Sequence, residues 1–256
     1  MAEKVSKTVN IVRAEKIVDG IYSMWIADEQ MAQQAKPGQF VSLYSNDGSR
    51  LLPRPISICE IDKQAHTLRL VYRVVGAGTD EFSRMQAGDH IRVVGPLGNG
   101  FTLQAQKAIL IGGGIGIPPM LELAKSLDCP VQVVLGYRDS YTFLKDEFEA
   151  HGSIYVATED GSVGTKGNVI DAIKENHLEG DMIFACGPTP MLKGIQTYAK
   201  EHNIPAQLSL EEKMACGIGA CLACVCKSKE KDAHTHVNNK RICKDGPVFF
   251  ADEITL

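Results

Sequence analysis

The sequence predicts a multi-domain α+β protein: an antiparallel β-barrel, then a parallel α/β domain, then a small cysteine-rich module. Three observations predict this order. Short apolar, β-branched runs separated by turn residues fill roughly the first hundred positions. Apolar runs then alternate with helical stretches, and five of the eight cysteines fall between residues 216 and 243. We expect the domains to span residues 1–101, 102–207 and 208–256.

The predicted barrel strands lie at residues 9–18, 22–26, 40–43, 56–61, 68–75 and 91–94. Turn residues such as Asp19-Gly20 and Pro37-Gly38 separate them. Short strands at this spacing are typical of a small barrel. A short helix is expected at residues 80–85.

The α/β domain is predicted from strands at residues 108–111, 131–135, 154–157 and 182–185. The helices expected between and after them lie at residues 118–127, 145–150, 169–175 and 191–202. In the last helix Leu192, Ile195 and Ala199 recur at helical spacing, which predicts a buried face.

Composition excludes several functions. Hydrophobic residues make up 44% of the chain and charged residues 23%, the balance of an ordinary folded core. The net charge is −4 and no basic stretch alternates with aromatics, so we expect no nucleic-acid partner. Residues 1–10 lack the apolar core of a signal peptide, and no apolar run approaches the ~20 residues of a membrane span. We therefore expect a cytoplasmic protein with no membrane partner.

The strongest motif is Cys216-x4-Cys221-x2-Cys224, followed by Cys243. Four thiolates at this spacing are the plant-type pattern for a [2Fe–2S] cluster. The residues between the first two cysteines are small, which lets the backbone wrap closely and aim N–H groups at sulfur. A zinc site is the alternative, but zinc favours two C-x2-C pairs and only Cys221/Cys224 forms one. Cys226 is a spare thiol, and Cys243 is the better fourth ligand because it closes the loop.

Two further segments indicate phosphate and flavin chemistry. Arg54 offers a bidentate fork to a pyrophosphate, and Ser57 offers a hydroxyl to a flavin edge. A purely structural Arg-Pro at a strand edge is the alternative. Gly78 and Thr79 open the predicted short helix and provide a second anion site.

Glycines also close two strands of the α/β domain. The run at residues 112–119, with Gly113, Gly114 and Gly116, follows a strand and precedes a helix, as in dinucleotide sites. A tight structural turn is the alternative. Cys186-Gly187-Pro188 ends a strand at the edge where α/β sheets bind ligands.

Together these motifs resemble the ferredoxin–NADP reductase superfamily, in which a flavin-binding barrel precedes a dinucleotide-binding domain. With the cysteine module, the chain resembles the electron transfer subunits of class 1B dihydroorotate dehydrogenases of pyrimidine biosynthesis. The resemblance covers essentially the whole chain. It also rests on the sequence of residues 36–40, 76–79, 95–101 and 211–226.

The resemblance implies cofactors and their ligands. FAD would be bound by Arg54, Pro55, Ile56, Ser57, Val71, Tyr72, Arg73, Gly78 and Thr79. NAD, the substrate, would lie against Gly113, Gly114, Gly116, Glu159, Cys186, Gly187 and Pro188. The cluster ligands would be Cys216, Cys221, Cys224 and Cys243. No catalytic residue is assigned: Cys186 would lie near the nicotinamide, and a buried thiol at a strand end is the alternative.

The resemblance carries two finer implications about the ligands. Ile56 stands where the wider superfamily places a tyrosine stacked on the flavin. NADP-specific relatives commonly have an Arg where Glu159 stands, so a carboxylate predicts a preference for NADH.

The resemblance also implies a partner. Electrons from dihydroorotate would pass from the FMN of a catalytic subunit through the cluster and FAD to NAD⁺, in a heterotetramer with two copies of each subunit. The apolar residues around the cluster, Ile218, Leu222 and Val225, would form the docking patch or else pack over the cluster. The alternative function is a related FAD/[2Fe–2S] reductase subunit serving another partner, such as a ferredoxin:NADP oxidoreductase or a sulfhydrogenase. A zinc-stabilised binding module is the alternative from another class.

Overall fold

The computed structural model describes residues 5–231 and 236–256. Within these residues the strands form a closed barrel, a seven-stranded sheet and a three-stranded sheet. We call them the barrel, the large sheet and the small sheet. The predicted fold class is confirmed, since an antiparallel barrel precedes a largely parallel sheet and the cysteine-rich segment follows. No helix of the described residues is long and apolar enough to cross a bilayer.

The barrel strands run in the spatial order β1-β2-β5-β4-β3-β6, and β6 pairs with β1 to close the ring. Inward side chains such as Met24, Ile26, Val41 and Leu70 fill its core. The bounds are β1 Val5–Val18, β2 Ile21–Ala27, β3 Phe40–Tyr44, β4 Arg54–Asp62, β5 Thr67–Arg73 and β6 His90–Leu97.

Two short helices accompany the barrel. Helix α1, Glu29–Gln34, was not predicted from the sequence; the Asp28 side chain caps it by accepting from Met31 N at 2.8 Å. Helix α2, Ala77–Ser83, begins earlier than predicted. The Thr79 hydroxyl explains the early start, because it donates to Gly76 O and accepts from Val75 N and so closes the first turn.

The large sheet has the order β10-β9-β8-β7-β11-β12-β15 and is parallel except at β15. Its strands are β7 Ala108–Gly113, β8 Val131–Tyr137, β9 Ser153–Thr158, β10 Thr165–Lys166, β11 Met182–Cys186, β12 Ala206–Ser209 and β15 Val248–Phe250. Its helices are α3 Pro118–Ser126, α4 Val169–Glu175 and α5 Thr189–His202. The predicted face of α5 is buried, with Leu192, Ile195 and Ala199 at most 3% exposed. The helix predicted at residues 145–150 is instead a 3-10 turn, Lys145–Phe148, which buries only Phe148.

The C-terminal segment is attached to both larger units. The small sheet has the order β14-β13-β16, with β13 Val225–Ser228, β14 Asn239–Arg241 and β16 Ile254–Thr255, and helix α6 spans Ile242–Asp245. Strand β15 joins the large sheet beside β12. Asn99, just after the barrel, donates to Val248 O at 2.8 Å and accepts from Val248 N at 3.0 Å. These bonds fix the cysteine-rich segment to the end of the barrel.

Candidate functional site

The loop that carries Cys216 and Cys221 wraps around the Cys216 sulfur. Its Sγ accepts backbone N–H groups from Ile218 at 3.4 Å, Ala220 at 3.3 Å and Cys221 at 3.4 Å. Gly217 and Gly219 have φ of +67° and +86°, the left-handed region that glycine occupies without strain. The loop is therefore shaped to present N–H donors to a sulfur anion.

The four predicted cluster ligands lie as two neighbouring pairs. Cys216 and Cys221 share the loop, and their side chains interact. Cys224 and Cys243 are both buried, and Cys243 N donates to Cys224 Sγ at 3.4 Å from the start of α6. Among the described residues no group of three or more His, Cys, Asp or Glu side chains is arranged around a single metal ion. A [2Fe–2S] cluster contains two irons, each with two protein ligands, so a set of two thiol pairs fits it better than it fits one zinc ion.

The two pairs differ in their electrostatics. Partial burial opposes ionisation of Cys216, but the N–H groups of the loop outweigh it and lower the pKa of this thiol to about 6. Burial raises the pKa of Cys243 to about 12, and the neighbouring Cys224 adds to the rise. A cation such as ferric iron between the pairs would stabilise all four thiolates.

Cys226 lies apart from these pairs. It is in β13, paired in register with Lys240, and burial raises the pKa of its thiol. The four cysteines that the spacing selected thus lie as two neighbouring pairs, and the spare cysteine lies in a strand.

The residues predicted to bind FAD lie on two adjacent barrel strands and on α2. Arg54, Pro55, Ile56 and Ser57 begin β4; Val71, Tyr72 and Arg73 end β5; Gly78 and Thr79 lie in the first turn of α2. The Arg54 guanidinium lies directly against Gly78, where a Cβ would be 2.2 Å from Arg54 Nε and 2.5 Å from Cζ. A Cβ at this position would displace the guanidinium from the first turn of α2, whose N–H groups have no partner within the helix. This cradle suits a pyrophosphate, which needs a fork and N–H donors together.

The remaining predicted FAD residues differ in exposure. Val71 and Tyr72 are buried, and burial raises the pKa of the Tyr72 hydroxyl. The Tyr72 ring stacks on Tyr22 with centroids 6.3 Å apart. Arg73 is exposed and lines the main cavity of the molecule. Arg73 therefore joins the predicted FAD site to that cavity.

The main cavity, of about 620 Å³, lies between the barrel and the ends of the large-sheet strands. On the barrel side it is lined by residues 18–21 together with Arg73 and Val74. On the sheet side it is lined by residues that follow β7, β8, β9 and β11. Ligands of parallel α/β sheets bind at this edge, outside the carboxyl ends of the strands.

Four of the predicted NAD residues line the cavity: Gly113, Gly114, Glu159 and Pro188. The other three lie behind its wall. Gly116 packs against the Cys186 backbone, where a Cβ would be 2.4 Å from Cys186 O. Cys186 is fully buried, and burial raises the pKa of its thiol. A Cβ at Gly187 would meet Met191 Cε at 2.4 Å, so this residue contributes close packing.

The cavity also contains residues that the sequence did not single out. Arg138 and Asp139 follow β8, Tyr141 is 70% exposed there, and Glu211 faces Arg73. The residues around Glu211 shield its carboxyl from water and so raise its pKa, and the positive charge of Arg73 partly offsets the rise. The position of Arg138 at the end of a parallel strand is the signal that would have identified it.

Comparisons with known proteins agree with this geometry. A family model described as the iron-sulfur cluster binding domain of dihydroorotate dehydrogenase B matches residues 211–255. A second, described as an oxidoreductase NAD-binding domain, matches residues 110–197. Electron transfer subunits of dihydroorotate dehydrogenase B (NAD(+)) are similar over nearly the full length. That of Geobacillus sp. (strain WCH70) is 42% identical over 97% of this chain and 98% of its own. That of Listeria innocua serovar 6a is 45% identical over the same shares.

Two solved structures are also similar. A structure of NADH-dependent reduced ferredoxin-NADP oxidoreductase, described in connection with flavin-based electron bifurcation, is 33% identical with a TM-score of 0.86. The match covers 96% of this chain and 89% of that one. A ferredoxin NADP+ reductase from Neisseria gonorrhoeae with bound FAD and NADP has a TM-score of 0.62 at 19% identity. That match covers 76% of this chain and 91% of the reductase, and it shows the shared fold.

Proposed function

This chain belongs to the family of electron transfer subunits of dihydroorotate dehydrogenase B (NAD(+)), and from that premise we propose how it carries electrons and which residues hold its cofactors. It is an oxidoreductase subunit of pyrimidine biosynthesis whose cofactors are FAD and a [2Fe–2S] cluster, with NAD as the substrate. It works with a catalytic partner subunit. The proposed route runs from FMN in that partner through the cluster and FAD to NAD⁺, in a heterotetramer with two copies of each subunit.

The position of the flavin strands carries the proposal. Strand β4 pairs on one side with β5, whose last residue, Arg73, lines the main cavity. On the other side β4 pairs with β3, and Ser42 of β3 contacts Gly217 of the cluster loop. The predicted FAD site therefore lies between the predicted NAD cavity and the predicted cluster site, the order in which the electrons must pass.

A bound flavin exchanges hydride with a nicotinamide and single electrons with a cluster, so it connects the two chemistries. In the proposal, the Arg54 guanidinium and the first turn of α2 bind the FAD pyrophosphate. Ser57 donates to the flavin edge, and Arg73 orients the group that enters from the cavity. Val71 and Tyr72, buried beneath, exclude water from this end of the barrel.

Residues of the cluster and NAD sites have proposed roles of the same kind. Cys216, Cys221, Cys224 and Cys243 would hold the cluster, and the N–H groups of the loop would stabilise negative charge on sulfur. In the cavity, Gly113 and Gly114 carry no side chain and so allow NAD to approach the end of β7. Glu159 accepts from the ribose 2′-OH, which favours NADH over NADPH.

A docking patch for the partner is proposed beside the cluster. Ile218, Leu222 and Val225 are 46%, 57% and 37% exposed. Exposed apolar side chains next to an electron carrier suit a protein interface. We retain 1–101, 102–207 and 208–256 as the proposed FAD, NAD and cluster regions. We place the protein in the cytoplasm, where thiols stay reduced and available to iron.

The test compares the isolated chain with the reconstituted enzyme. The purified chain should contain FAD, iron and sulfide and should reduce an artificial acceptor with NADH. It should reduce NAD⁺ with dihydroorotate only after the FMN subunit is added. Turnover of dihydroorotate by the isolated chain would contradict the division of labour.

A second function is supported by the similarity to the NADH-dependent reduced ferredoxin-NADP oxidoreductase, which extends over 96% of this chain. In that case the chain would serve a different partner with the same internal sites. Purification from the native cell distinguishes the two, since the co-purifying subunit would then lack dihydroorotate oxidation.

A further inference from the structure

A buried hydroxyl lies without a partner at the contact between the barrel and the cluster loop. Ser42, in the middle of β3, is 1% exposed, and its Oγ has no hydrogen-bond partner among the described residues. Buried polar groups in native proteins are almost always paired, because an unpaired one loses its bonds to water and gains nothing in return. An orphaned hydroxyl in such a place indicates that a bound group supplies the missing acceptor.

The surroundings of this hydroxyl show which group that is. A Cβ at Gly217 would lie 2.9 Å from Ser42 Oγ and 3.4 Å from Leu97 Cδ1, so the cluster loop is pressed against Ser42. Gly217 directly follows Cys216, whose sulfur already accepts three backbone N–H groups. The hydroxyl thus stands where the loop gathers hydrogen-bond donors around negative sulfur.

The flavin is the other candidate for the acceptor. By register Ser42 lies opposite Pro55, itself a predicted FAD residue. The residue of β4 predicted to bond the flavin edge, Ser57, lies opposite Phe40, two residues along β3 from Ser42. The close approach of Gly217 to Ser42 favours the cluster, since the flavin edge already has the Ser57 hydroxyl.

We propose that Ser42 is a positioning residue of the cluster, and that its hydroxyl donates a hydrogen bond to a sulfur of the bound [2Fe–2S] group. The inference rests on the proposed cluster site. A reduced cluster carries one more negative charge than an oxidised one, so the bond is stronger in the reduced state. Hydrogen bonds to the sulfurs are among the factors that set the potential of such clusters. Ser42 would therefore raise the reduction potential of the cluster.

The experiment compares Ser42→Thr with Ser42→Val, two side chains of nearly equal volume of which only threonine has a hydroxyl. The midpoint potentials of cluster and flavin are read in the same anaerobic titration, by electron paramagnetic resonance and by visible absorbance. The cluster potential in Ser42→Val should be lower than in Ser42→Thr. We expect about a tenfold change in the ratio of reduced to oxidised cluster, equivalent to ~59 mV for one electron. The flavin potential should be the same in both.

Ser228→Ala is the matched control. Ser228 is likewise a buried serine, in β13 of the cysteine-rich segment. Its hydroxyl already donates to Glu230 O at 2.7 Å, so the cluster potential should not change. Equal cluster potentials in the Thr and Val variants would overturn the proposal, as would a shift confined to the flavin. If the wild-type chain contains no iron and sulfide, the cluster site itself is wrong; a normal cluster with an unaffected potential refutes only the role of Ser42.

Discussion

The substitution Arg69→Met removes the centre of a charge cluster that joins the barrel to the large-sheet unit. Arg69, on β5, is 6% exposed. Its guanidinium donates to Ser23 Oγ at 3.0 Å, to Glu60 Oε2 at 2.6 Å and to Glu147 Oε1 at 3.1 Å. Glu60 lies on β4 and also pairs with Lys125 of α3, while Glu147 lies in the 3-10 turn after β8. Methionine fills the same space without the charge.

Removing one partner of a buried ion pair costs about 3–5 kcal/mol, because the other charge stays buried without compensation. Here the lower end of that range is expected. Glu60 keeps Lys125, and the Glu147 side chain is 40% exposed and can be solvated. For a chain of this length, about 3 kcal/mol corresponds to a fall in melting temperature of about 6–12 °C.

The assay is thermal unfolding of the FAD-loaded protein at neutral pH, with Arg84→Met as control. Arg84 pairs with Asp80, but the two side chains are 65% and 49% exposed. Its replacement should therefore change the melting temperature very little. A melting temperature of Arg69→Met within about 2 °C of wild type would refute the assigned role of the cluster.

The pH dependence of stability is a second test of the charge cluster around Arg69. Burial opposes ionisation of Glu60, but bonds from Lys125 and Arg69 outweigh it and lower the pKa of its carboxyl. A carboxyl whose pKa is lowered by folding adds stability above its unfolded pKa, and that stability is lost as the pH falls through the folded value. The difference in melting temperature between wild type and Arg69→Met should therefore become smaller below about pH 4.

Three further sets of substitutions test the three proposed sites. Arg54→Ala should lose FAD on gel filtration, since charge-assisted bonds to a pyrophosphate contribute roughly 1.5–3 kcal/mol; Arg84→Ala should keep it, and equal flavin content in both would remove Arg54 from the site. Serine at any of the four predicted ligands should abolish iron and sulfide, whereas Cys226→Ser should retain both; the reverse pattern would change the ligand assignment. Wild type should use NADH with higher kcat/KM than NADPH, and Glu159→Gln should reduce the preference by roughly tenfold, about one ionic hydrogen bond. Asp160→Asn, one residue on, should not change it, and equal use of both nucleotides by wild type would contradict the prediction.

Local patterns in the sequence were sufficient for the fold class and for most elements. Short apolar, β-branched runs separated by turn residues predicted the barrel strands, and helical spacing predicted the buried face of α5. These signals depend on neighbours along the chain, so they can be read without the tertiary structure. The cysteine spacing likewise indicated four candidate ligands, whose role in binding the cluster stays a prediction.

What the sequence could not predict depends on contacts between distant segments. Helix α1 is short and depends on the Asp28 cap, and the turn at residues 145–148 had the composition of a helix but packs only Phe148. Strand β15 forms only because the chain returns beside β12. Short elements of this kind are decided by packing more than by propensity.

The candidate site also contains residues that local sequence predicts and residues that depend on distant contacts. Gly113, Gly114 and Glu159 line the cavity as residues at the ends of parallel strands should. The glycine of Cys186-Gly187-Pro188 does not line the cavity and packs closely against Met191. Glu211 and Ser42 gain their surroundings from segments more than a hundred residues away, so no local pattern indicates them.

This one chain should connect a nicotinamide site to a one-electron carrier. An anaerobic addition of NADH to the purified chain, followed by visible absorbance and electron paramagnetic resonance, tests this connection. We expect loss of the flavin absorbance together with the signal of a reduced [2Fe–2S] cluster, in the absence of any partner. Flavin bleaching without a cluster signal, in protein that contains full iron and sulfide, would contradict it.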